Sequence, residues 1–446
     1  MPQRRESCII VSLLLSEIGD VFLMKIFQPK IFTCFKGYTK QNFIDDVIAG
    51  IIVAIIALPL SIALAIASGV NPEQGMYTAI FAGFVIALFG GSRVNISGPT
   101  AAFATIVAGI VASKGMEGLV LATIMAGIAL IVFGLLRLGT LIKYIPKTIT
   151  VGFTAGIAVT IAIGQLKDFL GLSFTAGVAN IETIDKIVNV INHIGTINIL
   201  ALAVGVGALA LMIVWTKFIK KIPSSLIAVL LGALVVGLFS MPVLTIGNAY
   251  PMGSTMPSFR VPQLDGGMIV SLIPDALTIA LLAAIESLLS CVVSDTMIDD
   301  THNPNTELIA QGLGNVCSGF FGGIPATGAI ARTTANVKNG GRTPVSGMVH
   351  AVVLLIVLLV LMPYASLIPM PVIAAILMIV AYNMSEWRSF LKIVKTKNAV
   401  DIVVLALTFL LTVIFNLVIA IAAGLLLHYA VKLITHIIDK KKPQEK

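Results

Sequence analysis

Two stretches about 230 residues apart break a hydrophobic segment in the same way. Gly90 to Val111 reads GGSRVNISGPTAAFATIVAGIV, and Gly322 to Pro344 reads GGIPATGAIARTTANVKNGGRTP. Each has a polar or β-branched lead, then Gly and Pro beside Ser or Thr, then a small-residue helix of three or four turns. A helix N-terminus leaves backbone N–H groups unpaired and carries about half a positive charge. Two such ends aimed at one point bind an anion without any basic side chain. The first end would be built from Ser97, Gly98, Pro99, Thr100 and Ala101, with Pro99 fitting the first helical position. The second would be built from Pro325, Ala326, Thr327, Gly328 and Ala329.

Two charges stand close to these breaks. Arg332 follows within the first turn or so of the second short helix, where it supplies positive field to an anion or pairs with a carboxylate. Glu286 lies in the apolar run PDALTIALLAAIESLLSCVVSD. Ser290 is one turn further on the same helix face. An acid in such a place is a candidate for carrying a proton or a cation. Pro59 interrupts VAIIALPLSIALAIASGV and marks a closely packed span or one that opens onto a cavity. HExxH, GxSxG and GxxxxGK[ST] do not occur, so hydrolytic and nucleotide-driven chemistry has no support.

These residues need a membrane-embedded frame. Hydrophobic residues make up 58% of the 446 and charged residues only 11%, which excludes an ordinary soluble domain. Fourteen spans are expected, near 47–67, 76–90, 98–112, 117–136, 148–164, 196–216, 222–239, 270–293, 304–322, 326–338, 344–362, 365–380, 398–413 and 416–434. They form two sets of seven, and the third of each set is the broken one. Seven is odd, so the second set enters from the opposite side, giving an inverted repeat whose short helices meet near the midplane. The net charge of +8 follows topology rather than nucleic acid. Clusters around Arg137/Lys143/Lys147, Lys217/Lys220/Lys221, Lys338/Arg342, Arg388/Lys392/Lys395/Lys397, the tail and the leader Lys25 to Lys40 fall on one side. Lys114, Lys167, Lys186 and Arg260 fall on the other, which orients both termini to the cytoplasm.

The four cysteines, Cys8, Cys34, Cys291 and Cys317, have no metal or disulfide spacing. Arg4-Arg5 and CIIVSLLL resemble a weak signal peptide without a cleavage site, and Met24 is an alternative start. The Pro/Gly/Ser-rich segment 241–263 joins the halves and is expected to hold a small hairpin.

With these residues the chain resembles the SulP family of anion transporters, from about Asp45 through the last span. The likeness rests on DDVIAGIIVAIIALPLSIALAIASGVNPEQGMYTAI, GGSRVNISGPTAAF, ESLLSCVVSDTMIDDTHNPNTELIAQGLGN and TGAIARTTANVKNGGRTPVSG, in order and spacing. The resemblance implies an all-α polytopic protein of seven plus seven spans. A core domain (46–136 and 270–362) would move as an elevator against a gate domain (137–269 and 363–434). Segments 1–45 and 435–446 would be cytoplasmic. It also implies a site at Pro59, Leu60 and Leu64, at Thr100, Ala101 and Phe103 beside Gly98, and at Thr327, Gly328, Ala329, Ile330 and Arg332, with Glu286 and Ser290 coupling an ion. Sodium, if used, would sit at Glu286, Ser290 and Thr327.

Three departures qualify the carry-over. Many members have Gln and an aromatic where this chain has Leu60 and Leu64. Sodium-coupled bicarbonate members have Asp and Thr in place of Glu286 and Ser290. Most members end in a cytoplasmic STAS domain, which no part of this sequence supplies. The expected function is secondary active transport of a small oxyanion, sulfate first and bicarbonate next, with H+ or Na+ as coupling ion. The alternatives are a dicarboxylate transporter and an uncoupled channel or motor. A homodimer in the cell membrane, without cofactor, enzymatic activity or nucleic-acid partner, completes the expectation.

Overall fold

The computed structural model describes residues 27–140, 146–175, 182–219, 222–250, 257–263, 265–396, 398–415 and 417–441. Cys8, Met24, Lys25, Lys143, Lys220, Lys221 and Lys397 lie outside the described residues. After a short turn of helix, α1 (Ile31–Cys34), comes the 28-residue α2 (Lys40–Ala67), whose N-cap Thr39 accepts from the Asn42 N–H. Pro59 sits inside α2 and leaves the Ile55 carbonyl without its helical donor. Helix α3 (Pro72–Tyr77) runs through a π-helical turn, Thr78–Ala82, into α4 (Gly83–Phe89).

The first break follows. Residues Ser97–Gly98 form strand β1, a 3-10 turn covers Ala101–Phe103, and α5 runs from Ala104 to Leu135 with a non-helical Gly115 inside it. Positive φ at Gly115 (69°) divides α5 where the sequence separates its third and fourth spans. Next come α6 (Lys147–Leu170), α7 (Thr183–Asn192), α8 (Ile199–Phe218), α9 (Ser224–Leu238) and the single turn α10 (Ile246–Ala249).

Then come α11 (Gly266–Ile298), α12 (Pro304–Phe320), strand β2 (Thr327–Gly328) and the nine-residue α13 (Ile330–Lys338). The chain continues through α14 (Pro344–Ala365), α15 (Met370–Met384), α16 (Trp387–Lys395), α17 (Ala399–Ile414) and α18 (Leu417–Lys441). Among the described residues seven helices are long and apolar enough to cross a membrane, and three shorter apolar ones accompany them.

No hairpin forms in the described part of 241–263: the Thr245 backbone bridges to Pro369, and the Ile246 and Gly247 N–H groups donate to the Ile368 and Ser366 carbonyls. The linker spends its polar groups on the α14–α15 corner instead of on itself.

Helices α2, α5, α11, α12 and α14 pack together, and α6, α8, α9, α15 and α17 form a second group. Asp46 ties the start of α2 to the start of α14. Its carboxylate accepts from the Arg342 and Thr343 N–H groups at 2.7 and 3.1 Å and from the Tyr38 hydroxyl at 2.8 Å. At the far end of α4, Lys30 and Arg93 each lie 3.0 Å from Asp300. Burial works against the Asp300 charge, but the Thr301 N–H and these two cations outweigh it and hold the carboxyl below its ordinary range.

Candidate anion-binding site

The two breaks meet. β1 and β2 pair antiparallel with Ser97 opposite Gly328 and Gly98 opposite Thr327. Each strand is followed at once by a helix start, so both sets of unpaired N–H groups lie beside the paired residues. The junction is sealed by the Ala329 N–H donating to the Ile96 carbonyl at 2.9 Å and the Ile96 N–H donating to Thr333 Oγ1 at 3.0 Å.

Pro99 does not occupy the first helical position. Thr100 is the N-cap of the turn that begins at Ala101, and Pro99 stays outside it. The reason is tertiary: the Pro99 carbonyl accepts from Arg332 Nη2, which holds the proline in the extended link. Arg332 is 2% exposed, and its Nε and Nη1 have no protein partner. A buried cation with two idle donors calls for an anion or ordered water. Gly98 makes room for the guanidinium, since a Cβ there would strike Nη1 and come within 3.4 Å of the Ala79 backbone.

A cavity of about 480 Å³ opens in front of these groups. Its one wall holds Leu60 and Leu64 of α2, Pro99 to Ala101, Glu286 with Leu289 and Val293 of α11, and Gly328 to Arg332. The opposite wall comes from the other helix group, with Lys147, Thr150, Val151, Phe153 and Thr154 of α6 and Val380, Met384 and Glu386 around the end of α15. Glu286 is half-buried and accepts from Thr100 Oγ1 at 3.0 Å. A carboxylate and a guanidinium therefore share the cavity with the two helix starts.

Of the residues expected at the site, Leu60, Leu64, Thr100, Ala101, Gly328, Ala329, Ile330, Arg332 and Glu286 line this cavity. Pro59 lines a different one, and Phe103 is fully buried behind the wall. Ser290 and Thr327 turn elsewhere. Ser290 donates to Asn95 Oδ1 at 2.8 Å. Thr327 Oγ1 is 2.6 Å from Ser287 Oγ and donates to the Ala283 carbonyl at 3.1 Å. Both hydroxyls thus serve buried polar groups rather than standing free beside Glu286.

The sequence reading misses the network that holds the breaks together. Glu307 is fully buried and accepts from the Gly91 and Ser92 N–H groups at 2.9 and 3.2 Å. It also accepts from Asn95 Nδ2 at 2.7 Å and Gln311 Nε2 at 3.0 Å. The Asn95 amide so oriented offers Oδ1 to Ser290 and Thr333, linking α11 to α13. A signal existed: an acid three residues after Asn303-Pro304 in an otherwise apolar chain. Its place near a helix start makes it look like an ordinary interfacial acid. Glu307→Gln puts an amide NH2 among donors and should cost about 3 kcal/mol. A lower melting midpoint of the purified protein, against an unchanged Glu386→Gln control, would check this.

The sulfate permease family profile matches residues 43–408. The chain belongs to the sulfate permease family. It is 47% identical over 397 residues to "Putative sulfate transporter YvdB" of Bacillus subtilis (strain 168), covering 89% of this chain and 74% of that protein. It is 35% identical over 398 residues to the bicarbonate transporter BicA of Picosynechococcus sp., covering 86% and 69%. Among solved structures, the transmembrane domain of a cyanobacterium bicarbonate transporter BicA superposes with a TM-score of 0.77 at 30% identity, covering 86% of this chain and 98% of that one. SLC26A9 superposes with a TM-score of 0.81 at 19% identity, covering 94% and 69%, a likeness of fold alone. This permease family member is therefore a multi-pass membrane protein of an anion-transporting family.

Proposed function

We propose that this permease is a secondary active transporter of a small oxyanion, sulfate first and bicarbonate next. The observation that carries the reading is Arg332, buried at the junction of two helix starts with Nε and Nη1 unpaired. The anion sits before Ala101, Ala331 and those two nitrogens, with Leu60 and Leu64 as its apolar backing. Pro59, Gly98, Phe103 and Thr327 support that wall from behind. The coupling ion is H+ rather than Na+, because Glu286 lies in the cavity while the Ser290 and Thr327 hydroxyls are engaged with protein groups.

The seven-plus-seven inverted repeat, with its two half-helices, and the core and gate division are our reading of the chain order. The antiparallel β1–β2 pair and the two packing groups support it. The cavity lies between those groups, which supports carriage by an elevator movement of the first against the second. We place both termini in the cytoplasm on the strength of the basic clusters, which include Lys147 at the cavity rim, and take a homodimer in the cell membrane as the working assembly. A second reading is a dicarboxylate, for which a cavity of about 480 Å³ leaves room.

Proteoliposomes with a labelled sulfate, bicarbonate and succinate panel, against and without imposed gradients, test the function. Accumulation above equilibrium supports it, and leakage to equilibrium under every gradient overturns it in favour of a channel. Arg332→Ala should raise KM at least about tenfold, the loss of roughly 1.4 kcal/mol of anion binding. Arg332→Lys should recover little, since the three N–H groups of an ammonium radiate from one nitrogen and cannot hold the Pro99 carbonyl while reproducing the planar spread of Nε and Nη1. Full activity in the Lys variant would show that charge alone matters.

A further inference from the structure

A second cavity, of about 600 Å³, lies between α2, α9 and α14, and every side chain around it is apolar except the Tyr364 phenol. Its back wall is buried: Pro59, Ile62 at 1% exposure and Val229 at 9%. Its rim is open, with Leu230, Val360 and Tyr364 at 56%, 60% and 66%. The rim runs on into exposed apolar faces of the same helices, Leu234 on α9 and Ile356 on α14, at 53% and 55%. The cavity is thus a recess in the surface that faces hydrocarbon in a membrane-spanning chain.

We propose that this recess holds a phospholipid acyl chain. Beyond the Tyr364 phenol at the rim, water finds no polar side chain along its walls, and a lipid tail is the apolar group always present at its mouth. Tyr364, one residue from the end of α14, puts an amphipathic ring at the rim, where the headgroup level of the bilayer is expected. The tail enters beneath that ring and reaches Pro59. The next residue, Leu60, lines the anion cavity, so the two ligands occupy opposite sides of one helix. The tail also lies between α9 and α2, which belong to different packing groups.

The test uses the full chain in vesicles containing a phospholipid with a diazirine halfway along one acyl chain. After irradiation, label on Ile62 and Val229, located by peptide mass spectrometry, is expected, because bulk lipid cannot reach a residue that is 1% exposed. Ala233→Phe fills the recess and should abolish that label while sparing Ile213 of α8, which is 61% exposed. Val357→Phe, from the α14 side, serves if the first variant does not purify. Unlabelled Ile62 and Val229, or labelling that survives a filled recess, overturns the proposal. Cross-links between two copies through a photoreactive side chain at Leu230 would overturn it in favour of a second chain covering the recess.

Discussion

Gly98→Val should bring transport to background, on the order of 100-fold below the unmodified protein, while the protein remains monodisperse. That is the scale of loss when a tightly positioned group moves by about 1 Å. The side chain cannot be absorbed locally. A Cβ at Gly98 would strike Arg332 Nη1 and lie within 3.4 Å of the Ala79 backbone, so the guanidinium has to leave its place. Gly328→Val should be as damaging by another route. Its Cβ would come within 2.6 Å of Asn95 Nδ2 and 2.9 Å of Oδ1, the amide that joins Glu307 to Ser290 and Thr333. Gly109→Val is the matching control, because a Cβ there meets nothing within 4 Å. Labelled uptake in proteoliposomes with equal protein per vesicle decides the matter. Normal uptake by Gly98→Val and Gly328→Val would remove the paired helix starts from the site.

Glu286→Gln should leave anion binding in place and erase the dependence of uptake on an imposed proton gradient. Thr100 Oγ1 donates to Glu286 Oε2 at 3.0 Å, and a glutamine carbonyl can accept the same bond, so the wall keeps its shape. What is lost is the change of charge. Glu286 and Arg332 on one wall, with Lys147 and Glu386 on the other, bring two negative and two positive charges to the cavity. An arriving anion makes the sum negative unless the Glu286 carboxylate takes a proton. Gln mimics the protonated acid and cannot give the proton back. The measurement is uptake at fixed external pH with and without an internal alkaline load, then with sodium in its place. Stimulation by sodium alone, present in the unmodified protein and absent in the Gln variant, would keep Glu286 as the coupling residue and replace the proton.

Much of the site was readable before the fold because its signals are local. Gly and Pro beside Ser and Thr break an apolar run whatever surrounds it, and a charge such as Arg332 or Glu286 has few reasons to be inside one. The far wall was not readable. Thr150, Thr154 and Met384 are ordinary residues of apolar helices until α6 and α15 are brought opposite the breaks. Local rules also erred where a tertiary partner was stronger. Pro99 suits a first helical turn, but its carbonyl is claimed by Arg332, so the helix starts later. Ser290 shares a helix face with Glu286, yet Asn95 claims its hydroxyl. Helix periodicity gives the direction of a side chain and says nothing of which acceptor waits there.

The bonds that hold the first break have an order in time. Asn95 and Glu307 are 212 residues apart, and Ile96 and Thr333 are 237 apart. At about 5–20 residues per second, the ribosome makes the second partner on the order of ten to forty seconds after the first. Throughout that interval the Gly91, Ser92 and Ile96 N–H groups and the Asn95 side chain lack the partners that α12 and α13 supply, and hydrocarbon does not tolerate such groups unpaired. The nascent first half must therefore wait in water, at the lipid interface or in the care of an insertase, and seat its broken helix only after α12 and α13 have emerged. The expected consequence is a late closure of the first break by α12 and α13, and a fragment that ends before α12 should leave those groups without their partners.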